Sequence, residues 1–535
     1  MNVFWEHPLI KRDAVELREY QVDLARLALR SNTLVVLPTG MGKTVIALMV
    51  LANVLEKRKG KVLLLAPTKP LVEQHATFLR EMIVGRSVTV LTGEVDPEER
   101  EALWIQNDII VSTPQVVAND LKHERVSLKD VQLIVFDEAH RAIGSYAYVA
   151  VAAQYKDYGQ LVLGMTASPG GSTAKIREVC ESLGIVDIEV RTELDPDVAP
   201  YVQDVQMQHI EVDVPVDLRK IIAILSSLYE TYLKELTNLG MLERGRPVNM
   251  RYLLDVQSNL QARLRSGEKS KTIYRALSLQ AMAVKVEHAL GLAETQGTSS
   301  LNAYFERMVA EANSDEGSKA SKVIVSSEQF KDILEMMKTI KSEHPKLSKV
   351  MSIVSQQVND KPNSRVLVFT HYRDTCDLMA TKLATIPGVK VAKLVGQADR
   401  VGERGLKQKD QVGVLDKFRN GEYNVVVATS VGEEGLDVAQ TDLVVFYEPV
   451  ASEIRSIQRR GRTGRKRAGR VVILITKDTR DQAYFYASIK KESAMRRRLK
   501  SLSEDLKQEK AKCKDEGPYS DKKPVKPGQA SLFDF

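Results

Sequence analysis

The segment Leu37-Pro38-Thr39-Gly40-Met41-Gly42-Lys43-Thr44 limits what this chain can fold into more than any other. The apolar run before it, Thr33 to Leu37, reads as a short buried strand, and Val45 to Leu55 reads as a helix. A strand, a turn with two glycines and a helix opening on Lys and Thr is the arrangement that cradles phosphate. Glycine lets backbone N–H groups approach an anion, and the helix N-terminus favours negative charge. Read this way, Pro38, Thr39, Gly40, Met41 and Gly42 wall the loop. Lys43 reaches the β- and γ-phosphates, and the Thr44 hydroxyl holds Mg²⁺. The pattern ordinarily opens with glycine, where this chain has Leu37. Taken alone the segment is equally an ordinary glycine turn, and the motifs that follow decide between the two.

Those motifs begin at the ends of further apolar runs. Val62–Ala66, Asp108–Val111, Val131–Phe136 and Leu161–Leu163 read as buried strands alternating with helices, which indicates a parallel sheet covered on both faces. Ligands of such sheets sit beyond the carboxyl ends of the strands. After Phe136 comes Asp137-Glu138-Ala139-His140. Asp137 suits Mg²⁺, and Glu138 can orient and deprotonate an attacking water. An acidic pair alone is usually a solvated turn; one that follows a buried strand after a phosphate loop matches the order found in P-loop ATPases. Other strand ends carry Thr68 and Lys69, then Thr113 and Gln115, then Thr166 and Ser168. Hydroxyl, amide and amine groups there suit contacts to a sugar-phosphate backbone, which position a strand without reading its sequence. Upstream, Gln21 can pair with the edge of adenine.

A second alternation starts near Lys349, with Arg365–Phe369, Val425–Ala428, Leu443–Phe446 and Val471–Ile475 as its buried strands. Thr370 ends the first of these, and Thr429 opens the stretch to Asp437 after the second. Further on stands Gln458-Arg459-Arg460-Gly461-Arg462-Thr463-Gly464-Arg465. Residues three apart on a helix share a face, so Arg462 and Arg465 can reach one polyphosphate and stabilise charge on a transferred phosphoryl group. A basic surface helix near nucleic acid is the plainer reading, but it leaves the glycines and Gln458 unexplained.

The ordered set (the phosphate loop, Asp137 to His140, Thr166 to Ser168, Gln458 to Arg465) resembles the superfamily 2 helicases. Within them it is similar to the archaeal Hef and eukaryotic FANCM family, over roughly residues 10–490. The resemblance implies an α/β protein of two RecA-like parallel-sheet lobes with ATP and Mg²⁺ in the cleft between them and DNA running across both. It also implies that Lys43, Thr44, Asp137, Glu138, Gln458, Arg462 and Arg465 carry hydrolysis. Thr166 and Ser168 would couple hydrolysis to lobe movement, Asp437 would approach the ribose, and Thr68, Lys69, Thr113, Gln115, Thr370 and Thr429 would touch nucleic acid. Hef proteins commonly carry a nuclease after the helicase. This chain ends about 70 residues beyond Arg465 without an acidic motif of that kind, so no intrinsic DNA cleavage is expected and a separate nuclease is the expected partner.

Between the lobes, Leu218, Ile221, Ile222, Leu225, Leu228, Tyr232, Leu236 and Leu239 recur at helical spacing. Ser326 with Gln329 reads as a capping box for a helix running to Ser342, with Pro345 as its stop. The expected division is therefore 1–204 for the first lobe, 205–345 for a helical insertion, 346–495 for the second lobe and 496–535 for a basic helix and disordered tail. From Arg244 to Arg275 the insertion holds eight Lys/Arg and two acids. Such runs are commonly solvated helix faces. Beside a motor cleft, Arg244, Arg246, Arg251, Arg263 and Arg265 are the best candidates for gripping phosphates of forked or branched DNA, a role that the resemblance also implies for this insertion. The tail Gln529-Ala530-Ser531-Leu532-Phe533-Asp534-Phe535 resembles the peptides bound by sliding clamps of the PCNA type through Gln529, Leu532, Phe533 and Phe535, although such peptides usually close with two adjacent aromatics.

Composition narrows the setting. The chain has 535 residues, enough for three or four domains at about 150 each. Of its formal charge of +7, most lies in residues 486–535, with 13 Lys/Arg against 8 Asp/Glu, so nucleic-acid binding must come from local patches. Cys180, Cys376 and Cys513 are isolated, which fits a reducing cytoplasm without disulfides or zinc. No signal peptide or membrane span is evident, and a nucleoid-associated protein is expected. Two other readings stand beside a DNA-directed motor: an RNA-directed one, since Asp-Glu-Ala-His also occurs in RNA helicases, and an adaptor that uses ATP binding only as a latch.

Overall fold

The computed structural model describes residues 3–514 apart from 171, 203–204, 341, 397–404, 430–440 and 451–468. The first lobe is built on β1 (Thr33–Val36), β2 (Lys61–Leu65), β3 (Val88–Leu91), β4 (Ile109–Ser112), β5 (Val131–Asp137), β6 (Leu161–Thr166) and β7 (Asp187–Val190). They form one sheet in the order β3-β4-β2-β5-β6-β1-β7, and every ladder is parallel. Parallel strands need both faces covered, and the side chains divide accordingly. Val35 joins one hydrophobic cluster with the helix Lys43–Lys57. Leu34 and Val36 join another with the helix Ala147–Tyr155.

The second sheet contains β8 (Val205–Val212), β9 (Val366–Phe369), β10 (Val391–Leu394), β11 (Val425–Ala428), β12 (Leu443–Phe446) and β13 (Gly469–Thr476). Its order is β10-β11-β9-β12-β13-β8, again all parallel. Residues 205–212, expected in the helical insertion, are thus an edge strand of the second lobe. Gln206, Met207, Gln208 and His209 are exposed, and an edge strand wet on both faces lacks the apolar run that marks β9 or β11.

Between β8 and β9 lies the helical bundle, with helices Val216–Asn238, Met250–Arg265, Lys271–Thr295, Thr298–Asn313, Lys319–Ser326 and Glu328–Thr339 around a core of their own. In the first of these Leu218, Ile221, Leu225, Leu228, Tyr232 and Leu236 are buried, as their spacing predicts. The N-cap falls one residue later than expected and is a single serine cap rather than a capping box, because Phe330 stands where Glu or Gln would have to be. Ser327, not Ser326, caps Glu328–Thr339 by accepting from the Phe330 N–H at 3.3 Å. Pro345 does not stop that helix but opens the next, Pro345–Asp360, at a position where its missing N–H is harmless.

The bundle joins the second lobe through a buried polar junction. Lys346, fully buried, pairs with Asp481 and donates to the Thr295 carbonyl at 3.3 Å. Asp481 also accepts from the Thr476 N–H and hydroxyl at 3.1 and 3.0 Å. Next to it Arg480 binds Glu294 at 2.7 Å and Glu287 at 3.2 Å, and Gly291 leaves room for the guanidinium. Arg480 begins the last helix, Arg480–Lys514, so the basic helix expected from residue 496 starts one full segment earlier. That helix leaves the second lobe and packs on the first: Met495, 3% exposed, lies in the cluster that holds Leu34 and Val36.

Two outcomes follow from this junction. Lys346→Ala strands the Asp481 carboxylate in the interior and should destabilise the second lobe by about 3–5 kcal/mol in urea unfolding; a change under about 1 kcal/mol would show the pair to be dispensable. His344, whose Nδ1 accepts from the Lys346 N–H at 3.3 Å, is pushed down to about 3 by burial and then by the Lys346 charge. The unfolded histidine takes a proton below the usual 6.5 and the folded one does not until about 3. Stability should therefore fall as pH drops from 6.5 toward 3. His344→Asn, which keeps a capping oxygen, should flatten that fall in melting curves between pH 7 and 5.

Candidate active site

Parallel register places the ends of β1, β5 and β6 side by side, with β6 between the other two. Two strand intervals, about 10 Å, separate the phosphate loop after β1 from the acids after β5. Leu37 explains its own departure from the glycine pattern. It is fully buried, and its N–H donates to the Thr166 carbonyl at 3.1 Å, so it prolongs β1 by one residue rather than turning the chain. The turn is made by Gly40 and Gly42, at φ 86° and 82°, a conformation that costs other residues more. Gly42 leads into the helix Lys43–Lys57, which no side chain caps, so its first N–H groups point to an anion site. The Lys43 ammonium donates to the loop carbonyls of Leu37 at 3.0 Å and Pro38 at 3.5 Å.

Asp137 is 7% exposed, with Oδ2 2.8 Å from His75 Nε2. Burial opposes its charge, yet the His75 hydrogen bond, His75 and Lys43 together hold the carboxyl below its usual range. His75 is a site residue that the sequence did not flag; it sits nearly two turns into the helix Lys69–Met82 with no motif around it. Glu138 has φ 48°, in the left-handed region for a non-glycine residue, a sparsely populated conformation that functional sites hold in place. Its Oε2 is buried, makes no hydrogen bond among the described residues, and lies 3.3 Å from His140 Nδ1. The same nitrogen is 3.1 Å from Thr166 Oγ1. A charged Asp137 and the Thr44 hydroxyl are hard oxygen ligands and fit Mg²⁺, while the Glu138 oxygen can accept a hydrogen bond from a water.

Thr166 and Ser168 are both buried. Thr166 Oγ1 accepts from the Ser168 N–H and donates to the Ser168 carbonyl, each at 3.1 Å. Ser168 Oγ donates to Met495 Sδ at 2.8 Å, which joins this turn to the last helix. Nothing local in the sequence marks Met495, because the contact spans 327 positions. Gln21, 2% exposed, donates to the Met41 carbonyl at 3.1 Å, so its amide lies on the phosphate loop itself.

Thr68 and Thr113 precede the helices Lys69–Met82 and Pro114–Lys122, after neighbouring strands β2 and β4. Lys69 pairs with Glu94, and Gln115 is exposed. Thr370 is fully buried, its hydroxyl 3.5 Å from Glu448, and Thr429 is 5% exposed. Each follows a central strand of the second sheet, β9 and β11. In the bundle Arg246 pairs with Glu243 and Arg263 with Glu268, whereas Arg244, Arg251 and Arg265 are exposed and make no ion pair among the described residues. Gln458, Arg462, Arg465 and Asp437 lie outside the described residues, as do Gln529, Leu532, Phe533 and Phe535.

Comparison with known proteins agrees with this layout. Residues 18–176 match the model "DEAD/DEAH box helicase", 345–467 match "Helicase conserved C-terminal domain", and 217–344 match "Putative ATP-dependent RNA helicase, helical bundle". A Methanocaldococcus jannaschii protein named "Putative ATP-dependent RNA helicase" is 38% identical over 94% of this chain and 63% of its own length. The Neurospora crassa ATP-dependent DNA helicase mph1 is 33% identical over 90% of this chain and 42% of its own length. The chain thus spans less than two thirds of these curated relatives. The crystal structure of the Pyrococcus furiosus Hef helicase domain is 45% identical, with TM-score 0.68, covering 90% of this chain and all of that one. With both lobes, the bundle between them and this identity to the Hef domain in hand, the chain belongs to the Hef and FANCM family of superfamily 2 helicases.

Proposed function

We propose that the chain is an ATP-hydrolysing helicase or translocase directed to forked or branched DNA in replication-fork repair. The observation that supports hydrolysis most is the juxtaposition of Lys43 with the charged Asp137 at one sheet edge. Mg²⁺, held by Thr44 and Asp137, would neutralise charge on the phosphates. The Lys43 ammonium leaves the Leu37 and Pro38 carbonyls for the β- and γ-phosphates, and the uncapped helix N-terminus binds the same group. Glu138 takes the proton of the attacking water. His140, between Glu138 and Thr166, ties that acid to the turn at Ser168. Gln458, Arg462 and Arg465 would complete the site from the second lobe, and Asp437 would reach the ribose.

DNA is favoured because Hef and mph1, the latter named a DNA helicase, are relatives over most of this chain. An RNA duplex is the second reading, favoured by the name of the Methanocaldococcus relative. ATPase stimulation by forked DNA against duplex RNA separates the two; stimulation by RNA alone would overturn the DNA assignment. Lys43→Ala or Glu138→Gln should abolish stimulated turnover, and normal turnover in either would reject the assigned roles. The bundle provides a finer test. Arg251→Ala with Arg265→Ala should weaken forked-DNA binding about tenfold and lower its salt dependence. Arg263→Ala, which removes a guanidinium already held by Glu268, should do much less. Binding to a sliding clamp through the tail, and to a separate nuclease, completes the proposal; deleting Gln529 to Phe535 should remove clamp binding and leave ATPase unchanged.

A further inference from the structure

The segment that leads out of the first lobe is fastened to the phosphate loop by a short relay of side chains. After β7, the Arg191 N–H donates to the Val36 carbonyl at 3.0 Å, and Val198, Tyr201 and Val202 pack into the first lobe's core. The Tyr201 ring is held on two sides. The Arg18 guanidinium lies 5.0 Å from its centroid, and the Tyr20 ring packs tilted against it at 5.6 Å. Tyr20 in turn donates its hydroxyl to the Met41 carbonyl of the phosphate loop at 2.7 Å. Gln21 Nε2 donates to that same carbonyl at 3.1 Å and lies 3.3 Å from the Tyr20 hydroxyl. The Gln21 amide can sit there only because position 42 is glycine: a Cβ on Gly42 would lie 2.2 Å from Gln21 Nε2. Four residues after Tyr201 the chain enters β8, which pairs with β13 along its full length in the other sheet.

We propose that Tyr201 is a positioning residue for nucleotide turnover. It seats the Tyr20–Gln21 pair on the phosphate loop and, through β8, makes that seating depend on where the second lobe stands. The relay runs from second sheet to β8, to Tyr201, to Tyr20 and Gln21, to Met41, and contains no residue of the hydrolytic set. Displacement of β8 pulls on a ring clamped by Arg18 and Tyr20, and the loop carbonyl bonded to both Tyr20 and Gln21 follows. Nucleotide bound at Gln21 and the loop biases the linker in the opposite direction, since coupling between two sites is reciprocal.

This inference rests on the ATPase reading, and Lys43→Ala serves as its control. In the full chain, Tyr201→Ala should raise KM for ATP roughly tenfold while kcat without nucleic acid changes less than about twofold. The stimulation of ATPase by forked DNA should fall in parallel. Tyr201→Phe, which keeps the ring, should restore both values. A structural role alone would lower the melting temperature of Tyr201→Ala and leave KM and the stimulation ratio of the folded fraction unchanged, and that result overturns the proposal. So does an equal loss in Tyr201→Phe, which would place the effect on the hydroxyl rather than the ring. If instead Lys43→Ala turns over ATP normally, the ATPase reading fails first, and the two failures are distinguishable.

Discussion

The chemistry of this molecule depends on parallel strand pairing between β1, β6 and β5. Parallel neighbours end on the same edge of a sheet, so loops that are far apart in the sequence are delivered to one place without any contact between them being specified. Leu37 shows how finely the edge is trimmed. By donating to the Thr166 carbonyl it carries β1 one residue past its ladder, and the turn that follows begins at the level where Thr166 leaves β6. A glycine at that position would remove a fully buried side chain from the core and gain nothing, because the backbone there does not turn.

Much of this was legible before any coordinates. The phosphate loop and the Asp137–His140 turn announce themselves because their chemistry fixes residue types at fixed spacing. The central strands announce themselves because burial on both faces leaves only apolar residues. What stayed hidden has physical causes. β8 is wet on both faces, so its alternation carries no signal, and residues 205–212 read as the start of the bundle. Ser326 and Ser327 are chemically equal candidates for one cap, and only backbone geometry chooses between them. Thr370 and Thr429 follow strands just as Thr68 and Thr113 do, and nothing in the residue types tells that the first two are buried and the others partly exposed. His75 and Met495 reach the site from a helix face and from the far end of the chain, so no local pattern could have found them.

The junction at Lys346 and Asp481 shows a second kind of information that composition conceals. Buried ion pairs contribute little net stability compared with apolar packing, but they tolerate few alternative arrangements. Here one ammonium meets the carboxylate of the last helix and the carbonyl end of the bundle helix Lys271–Thr295 at once. The bundle, the second sheet and the last helix are thereby set in register at a single point. The charge pattern on the bundle surface is sorted in a similar way: among the described residues some arginines are matched by acids of their own segment, while Arg244, Arg251 and Arg265 are not.

The last helix leaves the second lobe at Arg480 and is embedded in the first at Met495. Together with the segment before β8, this gives the second lobe two chain-borne moorings on its neighbour among the described residues. A body moored at one point can swing in any direction; moored at two, it turns about the line that joins them. A stroke guided by these two alone would be closer to that of a hinged door than of a ball in a socket, with Ser168 lying against one of the pins.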